Sequence, residues 1–430
     1  MFKEFTEVEA FFKTKEIQRG MDFGLDRMRN ILNALGNPET ELVCIHIAGS
    51  NGKGSTLNFL KEILMAEGLR AGSFTSPHIE RLNERIMINS NEISDNDILL
   101  LMNELTGALK ISGEYDKVTY FEILTLLSIM YFAKEKPDIV LFETGLGGRL
   151  DSTNVILPVL SIITTISLEH TDILGGTLAE IAREKAGIIK KNVPVICGSL
   201  PAEAMAEITS KAEEMNAEIS VLEQNFFADE INTGSQETVF SLTFGEEKWK
   251  DLQISMLGRH QVDNASLALA ACVLLREHGI TVTEKAVRAG LKKAAWKGRI
   301  EVLSKNPLII LDGAHNPEGM AVLMDTLAEA YPERKLHMVM AVLKDKDYHQ
   351  MLKLSEGAER ITLTEFEMYR RLPAEELFKA SSHPSKRLIT DWKTAIREAA
   401  AVIKEDEMLA VTGSLYFISE ARPYLNYILK

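Results

Sequence analysis

The residues best suited to chemistry form one run, Gly49-Ser50-Asn51-Gly52-Lys53-Gly54-Ser55-Thr56. It joins an apolar stretch at 42–48, which reads as a strand, to a helically spaced stretch at 55–67 that stops at Gly68. Glycines let the backbone wrap an anion with its N–H groups turned inward, and a helix start adds partial positive charge. In such a loop Lys53 reaches the β- and γ-phosphates of a nucleotide, and the hydroxyl of Ser55 or Thr56 is available to Mg²⁺. The spacing departs from the common G-x-x-x-x-G-K-[ST] form, because position 47 is Ile and Gly54 intervenes before Ser55. The bland alternative is a glycine-rich strand–helix turn, against which the lysine argues.

Other candidates stand at the ends of predicted strands. Ser76 lies in Thr75-Ser76-Pro77-His78, although Ser-Pro alone also reads as a plain turn. Glu143 closes an apolar run and is followed by Thr144-Gly145-Leu146-Gly147-Gly148-Arg149-Leu150-Asp151. In parallel α/β sheets ligands sit at strand C-terminal ends, and Mg²⁺ asks for only one or two carboxylates. His170, in Leu168-Glu169-His170-Thr171-Asp172, holds the matching place after the next strand. Lys185 sits on a predicted helix beside Glu184 and Arg183, where a lysine usually belongs to a solvated face. Gly258-Arg259-His260-Gln261 with Asn264, then Gly298-Arg299, then Asp312-Gly313-Ala314-His315-Asn316-Pro317 complete the set. The last group follows an apolar strand, so Asp312 and His315 either project into a cleft or belong to a turn.

A mainly parallel sheet with intervening helices would position these groups. Strand candidates at 42–48, 71–75, 138–143, 159–166 and 193–197 alternate with helical stretches at 94–110, 119–134 and 177–188, and 84–93 reads as extended. Thr119 with Glu122, and Thr177 with Glu180, have capping-box spacing. Residues 218–257 read as strands and hairpins, and 262–278 as an Ala-rich helix. The stretch 294–299 breaks that pattern, and a second α/β series begins at 308–311 and runs through 319–330, 336–342 and 408–412. The fold class is α/β: a phosphate-loop domain with a mainly parallel sheet over residues 1–296, and a smaller Rossmann-like α/β domain over 297–430.

The chain has 430 residues, too many for one ordinary core, with 46% hydrophobic and 26% charged residues, a soluble composition. No run is long and apolar enough to span a bilayer, and the first twelve residues lack the pattern of a signal peptide. Cys44, Cys197 and Cys272 are far apart and odd in number, which suits a reducing, cytoplasmic setting. The net charge is −14 and no dense Lys/Arg run is present, which argues against nucleic acid as a partner. Anionic small substrates then require positive potential focused in one cleft.

Together these motifs, from Phe23-Gly24-Leu25-Asp26-Arg27 to Thr412-Gly413-Ser414-Leu415-Tyr416, resemble the folylpolyglutamate synthase family, relatives of the Mur ligases. The resemblance implies that Gly49, Ser50, Asn51, Gly52, Lys53, Gly54 and Ser55 bind ATP phosphates. Ser55, Ser76, Glu143 and His170 are its implied magnesium ligands. Lys185 matches a carbamylated lysine near a second Mg²⁺. Asn264, Arg299 and Asp312 match residues that hold the nucleotide across the domain interface, and His315 completes the C-terminal Asp-x-x-His pair. Lys53, Lys185, Asp312 and His315 are the implied catalytic set. Asp26, Arg27, Thr119, Phe121, Asp151 and Ser152 match regions that line the folate pocket, although Thr119 also belongs to a capping box. The family's common Gly-Thr-Asn-Gly-Lys is Gly-Ser-Asn-Gly-Lys here, and Ser50 keeps the hydroxyl.

The activity implied is amide ligation: ATP phosphorylates a carboxylate, and the amine of L-glutamate displaces phosphate from the acyl phosphate. The substrates implied are ATP, L-glutamate and a folate, with 7,8-dihydropteroate as a further acceptor, in a monomer using two Mg²⁺ and a monovalent cation. Folate extension alone is the nearest alternative. A Mur-type ligase on a sugar-nucleotide peptide is disfavoured, since only 48 residues precede Gly49. A non-catalytic ATP-switched binding protein would not call for the metal and second-domain residues.

Overall fold

The computed structural model describes residues 1–17 and 24–429; Phe23, which opens the first matched motif, lies outside them. The larger sheet has eight strands, in the spatial order Asn91–Glu92, Ile86–Ile88, Ala71–Phe74, Ile139–Glu143, Cys44–Ala48, Leu160–Ile163, Val195–Cys197, Ile219–Val221. From Ala71–Phe74 to Ile219–Val221 every pairing is parallel, and only the edge hairpin runs antiparallel. Cys44–Ala48 is buried along its whole length, as a central parallel strand covered on both faces must be. Its register sets Ile47 beside Glu143 and Ala48 beside Ile163, while Phe74 pairs with Phe142. The loops that follow these four strands therefore emerge at one edge.

The helix after the central strand, Lys53–Ala66, is packed between helices Arg259–Leu274 and Glu284–Lys293. Against the same core lies a three-stranded antiparallel sheet, Phe226–Thr233, Thr238–Phe244 and Glu247–Ile254, whose Phe226, Phe240, Leu242 and Leu252 point inward. The second sheet has six strands, in the order Glu301–Lys305, Leu308–Leu311, Glu407–Thr412, Lys335–Met340, Arg360–Glu365, Lys386–Asp391. All but the first run parallel. Among the described residues no helix is long and apolar enough to cross a membrane.

The apolar runs place the strands they pick out mostly within a residue or two, and miss Glu301–Lys305 and Arg360–Glu365. Residues 84–93 are less regular than an extended reading expects: a 3₁₀ turn, Leu82–Arg85, precedes two short strands. The Ala-rich helix starts earlier, at Arg259, behind Gly258 at φ 99°. Lys386–Asp391 escapes an apolar-run criterion because it is an edge strand with mostly exposed side chains.

Helix Glu284–Lys293 crosses Lys53–Ala66 with Gly290 against the backbone of Glu62 and Ile63, where a Cβ would collide with main-chain atoms. In an open helix Gly→Ala is stabilising. Here the sign reverses: Gly290→Ala is expected to destabilise the fold by about 1–3 kcal/mol, read as a lower denaturant midpoint.

Candidate active site

The phosphate-type loop is shaped from behind. Ser50 donates its N–H to the Thr165 carbonyl at 2.8 Å, and Asn51 N–H donates to Thr165 Oγ1 at 2.9 Å. The hydroxyls of Thr164 and Thr165 donate to the Asn51 carbonyl at 2.5 and 3.2 Å. Ser50 Oγ accepts from Ser167 N at 3.0 Å. Gly52 takes φ 84° immediately before the helix, and a side chain there would strike the Asn264 amide. Asn264 is itself buried, accepting from Thr56 Oγ1 at 3.3 Å and donating to Gln261 Oε1 at 3.0 Å. Lys53 folds back so that Nζ donates to the carbonyls of Gly49 at 2.7 Å and Ser50 at 3.2 Å. Ser55 is buried in the first helical turn, and Gly54 meets the Trp296 indole of the interdomain segment.

The neighbouring strand ends supply carboxylates. Glu143 is buried, and one oxygen accepts the Ser76 N–H at 3.0 Å. Burial raises its carboxyl above the ordinary range, against the pull of Lys53, Arg299 and Arg85. Beyond the next strand, Glu169 Oε1 pairs with Lys185 Nζ at 2.7 Å, with Lys185 almost wholly buried. The expectation of a solvated face for Lys185 is thus corrected: its helix, Leu178–Ala186, turns this position inward and leaves Arg183 exposed on Glu207. Burial works against the Glu169 carboxylate, but Lys185 and Lys53 hold its pKa at about 2. Burial also pushes the Lys185 ammonium down, with Glu169 opposing. His170 follows at φ 47°, and burial with the nearby Lys346 lowers it to about 4.

The second domain faces these groups. Asp312 accepts from Ile300 N at 2.9 Å and Ala314 N at 2.8 Å, so its carboxylate pins both the peptide after Arg299 and the turn before His315. The charge of Arg299 acts on Glu143, Asp312, His260 and His315. His315 Nδ1 lies 2.8 Å from the Gly313 carbonyl, which fixes it as the donor nitrogen and leaves Nε2 to accept. Three groups that sequence reasoning did not assign also converge. Asn51 Nδ2 donates to Glu318 Oε2, and Asn316 Nδ2 donates to Asn51 Oδ1 at 3.3 Å, so the second domain touches the loop tip. Lys346 lies close enough to act on His170, His315 and Glu169. Each follows a strand end, the one signal that could have found it.

The folate-pocket candidates divide. Arg27 is buried with Nε 3.0 Å from both oxygens of Glu122, and Phe121 lies over Gly145 and beside Phe74. Ser152 opens the 3₁₀ turn Ser152–Val155. The other three also make contacts within the protein. Asp26 is 94% exposed and pairs with Arg29 at 3.1 Å. Thr119 is an N-cap, its hydroxyl accepting from Glu122 N at 3.3 Å in a complete capping box. Asp151 is buried, accepting from Gly145 N, Leu146 N, Thr153 N and Thr153 Oγ1, and so shapes the glycine loop.

His260 and His315 are both lowered to about 4, in each case first by burial. An unfolded histidine titrates near 6.5, so unfolding takes up protons between those values. Their contribution is complete above about pH 6.5 and is lost as pH falls toward 4. Urea unfolding should give a falling midpoint across that window, and His260→Gln should flatten the slope; an unchanged slope would contradict the burial of the neutral imidazole.

Comparison with known proteins agrees with this geometry. Residues 47–272 match the Mur ligase middle domain, and residues 298–415 match the Mur ligase glutamate ligase domain. The dihydrofolate synthase/folylpolyglutamate synthase of Bacillus subtilis (strain 168) is 38% identical, covering 99% of this chain and 100% of its own. Mycobacterium tuberculosis folylpolyglutamate synthase complexed with ADP aligns with a TM-score of 0.91 at 29% identity, covering 97% of each chain. Escherichia coli FolC in complex with DHPP and ADP aligns at 0.90 and 27% identity, covering 100% of this chain and 99% of that one. A phosphate loop facing a second domain, matched over nearly the full length, makes this chain a member of the dihydrofolate synthase/folylpolyglutamate synthase family of Mur ligases, an ATP-dependent ligase.

Proposed function

We propose that this ligase joins L-glutamate to folates, and to 7,8-dihydropteroate, with ATP converted to ADP and phosphate. The observation that carries the reading is the convergence on one sheet edge of the phosphate loop, Glu143 and the Lys185–Glu169 pair, faced by Arg299 and His315. The relatives named for both activities support the double acceptor range. In this reading residues 1–296 hold ATP and the acceptor, and residues 297–430 close over them.

The acceptor carboxylate attacks the γ-phosphorus, the bond to the β-γ bridging oxygen breaks, and ADP leaves. The glutamate amine then adds to the acyl phosphate carbonyl, and phosphate departs as the amine loses its proton. The amides of Gly52–Ser55 cradle phosphate oxygens, while those of Ser50 and Asn51, which donate to Thr165, fix the back of the loop. Lys53 exchanges the Gly49 and Ser50 carbonyls for the β- and γ-phosphates, and Arg299 adds charge from the other side, so that the developing negative charge meets groups already in place. Asn264 buttresses the loop. Asp312 holds Arg299 and His315 in register, and His315 Nε2 orients the nucleotide and the incoming glutamate.

The donor set fits Mg²⁺. Among the described residues no group of three or more His, Cys, Asp or Glu could hold a metal by itself. Mg²⁺ needs only one or two carboxylates beside phosphate oxygens and water. Ser55, Ser76, Glu143 and His170 would hold it, and when bound it neutralises charge on the transferring phosphoryl group. Lys185, as its carbamate, would serve a second Mg²⁺: the neutral amine adds CO₂ and releases one proton, and burial favours the neutral amine. Arg27, Phe121 and Ser152 would border the acceptor. A monovalent cation, a monomeric state and a cytoplasmic setting complete the proposal; three buried free thiols support the last.

Phosphate release with Mg-ATP and L-glutamate tests the acceptor range. Turnover with both 7,8-dihydropteroate and tetrahydrofolate, with glutamylated products by mass, is expected; turnover with tetrahydrofolate alone removes the first acceptor. Lys185→Ala should lose roughly 10²-fold in kcat and recover in part with a short-chain carboxylate, whereas near-normal activity would eliminate the carbamate.

A further inference from the structure

The loop between strands Ala71–Phe74 and Ile86–Ile88 carries Ser76 at its start and then leaves its own domain. Ile79 packs against the second domain's apolar cluster around Phe417 and Ile418, with its Cδ1 3.8 Å from where a Cβ would stand on Gly298. Glu80 accepts from Arg422 Nη1 at 2.5 Å and lies 3.8 Å from Lys297 Nζ. Lys297 donates to Glu84 Oε1 at 2.7 Å. Arg422 also grips Glu301, at 3.0 Å from Nε and 2.7 Å from Nη2. The other oxygen of Glu84 accepts Ile79 N at 2.8 Å and Glu80 N at 3.2 Å, which closes the loop on itself.

This network touches two of the chain segments that bring cleft residues to the interface. Ser76 stands three residues before Ile79, tied to Glu143. Arg299 stands between Lys297 and Glu301, and its charge reaches the same Glu143. Partly exposed ion pairs add little to folding stability and weaken in salt. Their value lies in geometry, because a misplacement of about 1 Å at a reacting centre can cost roughly 10²-fold in rate.

We infer that Glu80, Lys297, Glu301 and Arg422, with Ile79 as an apolar pivot, are positioning residues that lock the second domain against the Ser76 loop in the register the reaction requires. The lock sets the alignment of Arg299 with the Ser76–Glu143 edge and leaves acceptor binding to the first domain.

Steady-state phosphate release from the full-length enzyme tests this with Glu80→Ala, Arg422→Ala and the double variant, alongside thermal unfolding. Each single change should lower kcat about three- to tenfold, with the folate KM and the Tm unchanged. The double variant should be no slower than the slower single. Rising salt should lower the wild-type kcat toward that of the double variant, whose own rate stays flat. Arg422→Lys, which keeps the charge, should retain most of the rate. Additive losses, wild-type kcat in every variant, or a loss that follows Tm would overturn the lock. Absence of turnover in the wild-type reference would instead remove the acceptor reading, so the two failures are separable.

Discussion

A parallel sheet delivers its strand ends to one edge, and every candidate group of the first domain depends on that constraint. Cys44–Ala48 lies between Ile139–Glu143 and Leu160–Ile163, with Ala71–Phe74 one strand further. Their following segments hold Gly49, Thr144, Thr164 and Thr75, which begin side by side. The phosphate loop then needs no scaffold of its own. Thr164 and Thr165 tie its far side through hydroxyl and main-chain bonds, and its inner face is left to N–H groups. Asn264, from a distant helix, occupies the space a side chain on Gly52 would take.

The same edge resolves an electrostatic problem. A chain with a net charge of −14 has no general attraction for anions. Lys53, Lys185, Arg299 and Lys346 nevertheless act on one small region, balanced by Glu143, Glu169 and Asp312. Burial removes water from these groups and raises Glu143 and Asp312 against the pull of the cations, whereas Lys185 and Lys53 still hold Glu169 low. Four cationic side chains thus meet in one cleft of a chain that is acidic as a whole.

Much of this was legible in the sequence, for identifiable reasons. Buried parallel strands are continuous apolar runs, and a strand-end rule picks out Glu143, His170 and Asp312 without any knowledge of pairing. Lys185 was harder, because its neighbours Arg183 and Glu184 are charged and only the helix's rotation about its axis decides which side chain enters the core. Thr119, Asp26 and Asp151 have local roles that spacing alone does not separate from a pocket: a helix cap, an exposed ion pair with Arg29, and a glycine loop shaped by a buried carboxylate. Contacts such as Asn51 with Glu318 were invisible, since 267 positions separate the partners and neither residue type signals the other.

Ile79 also bears on modularity. The two larger sheets are separate, and the family models divide the chain between them, which suggests two parts that could be exchanged among relatives as intact pieces. Yet Ile79 of the first part packs on one apolar cluster of the second, and Leu257 is buried in another. A recombined protein would have to match a notch as well as a linker, so these halves are expected to have diversified together, with position 79 and the face of helix Leu415–Ile428 changing in step.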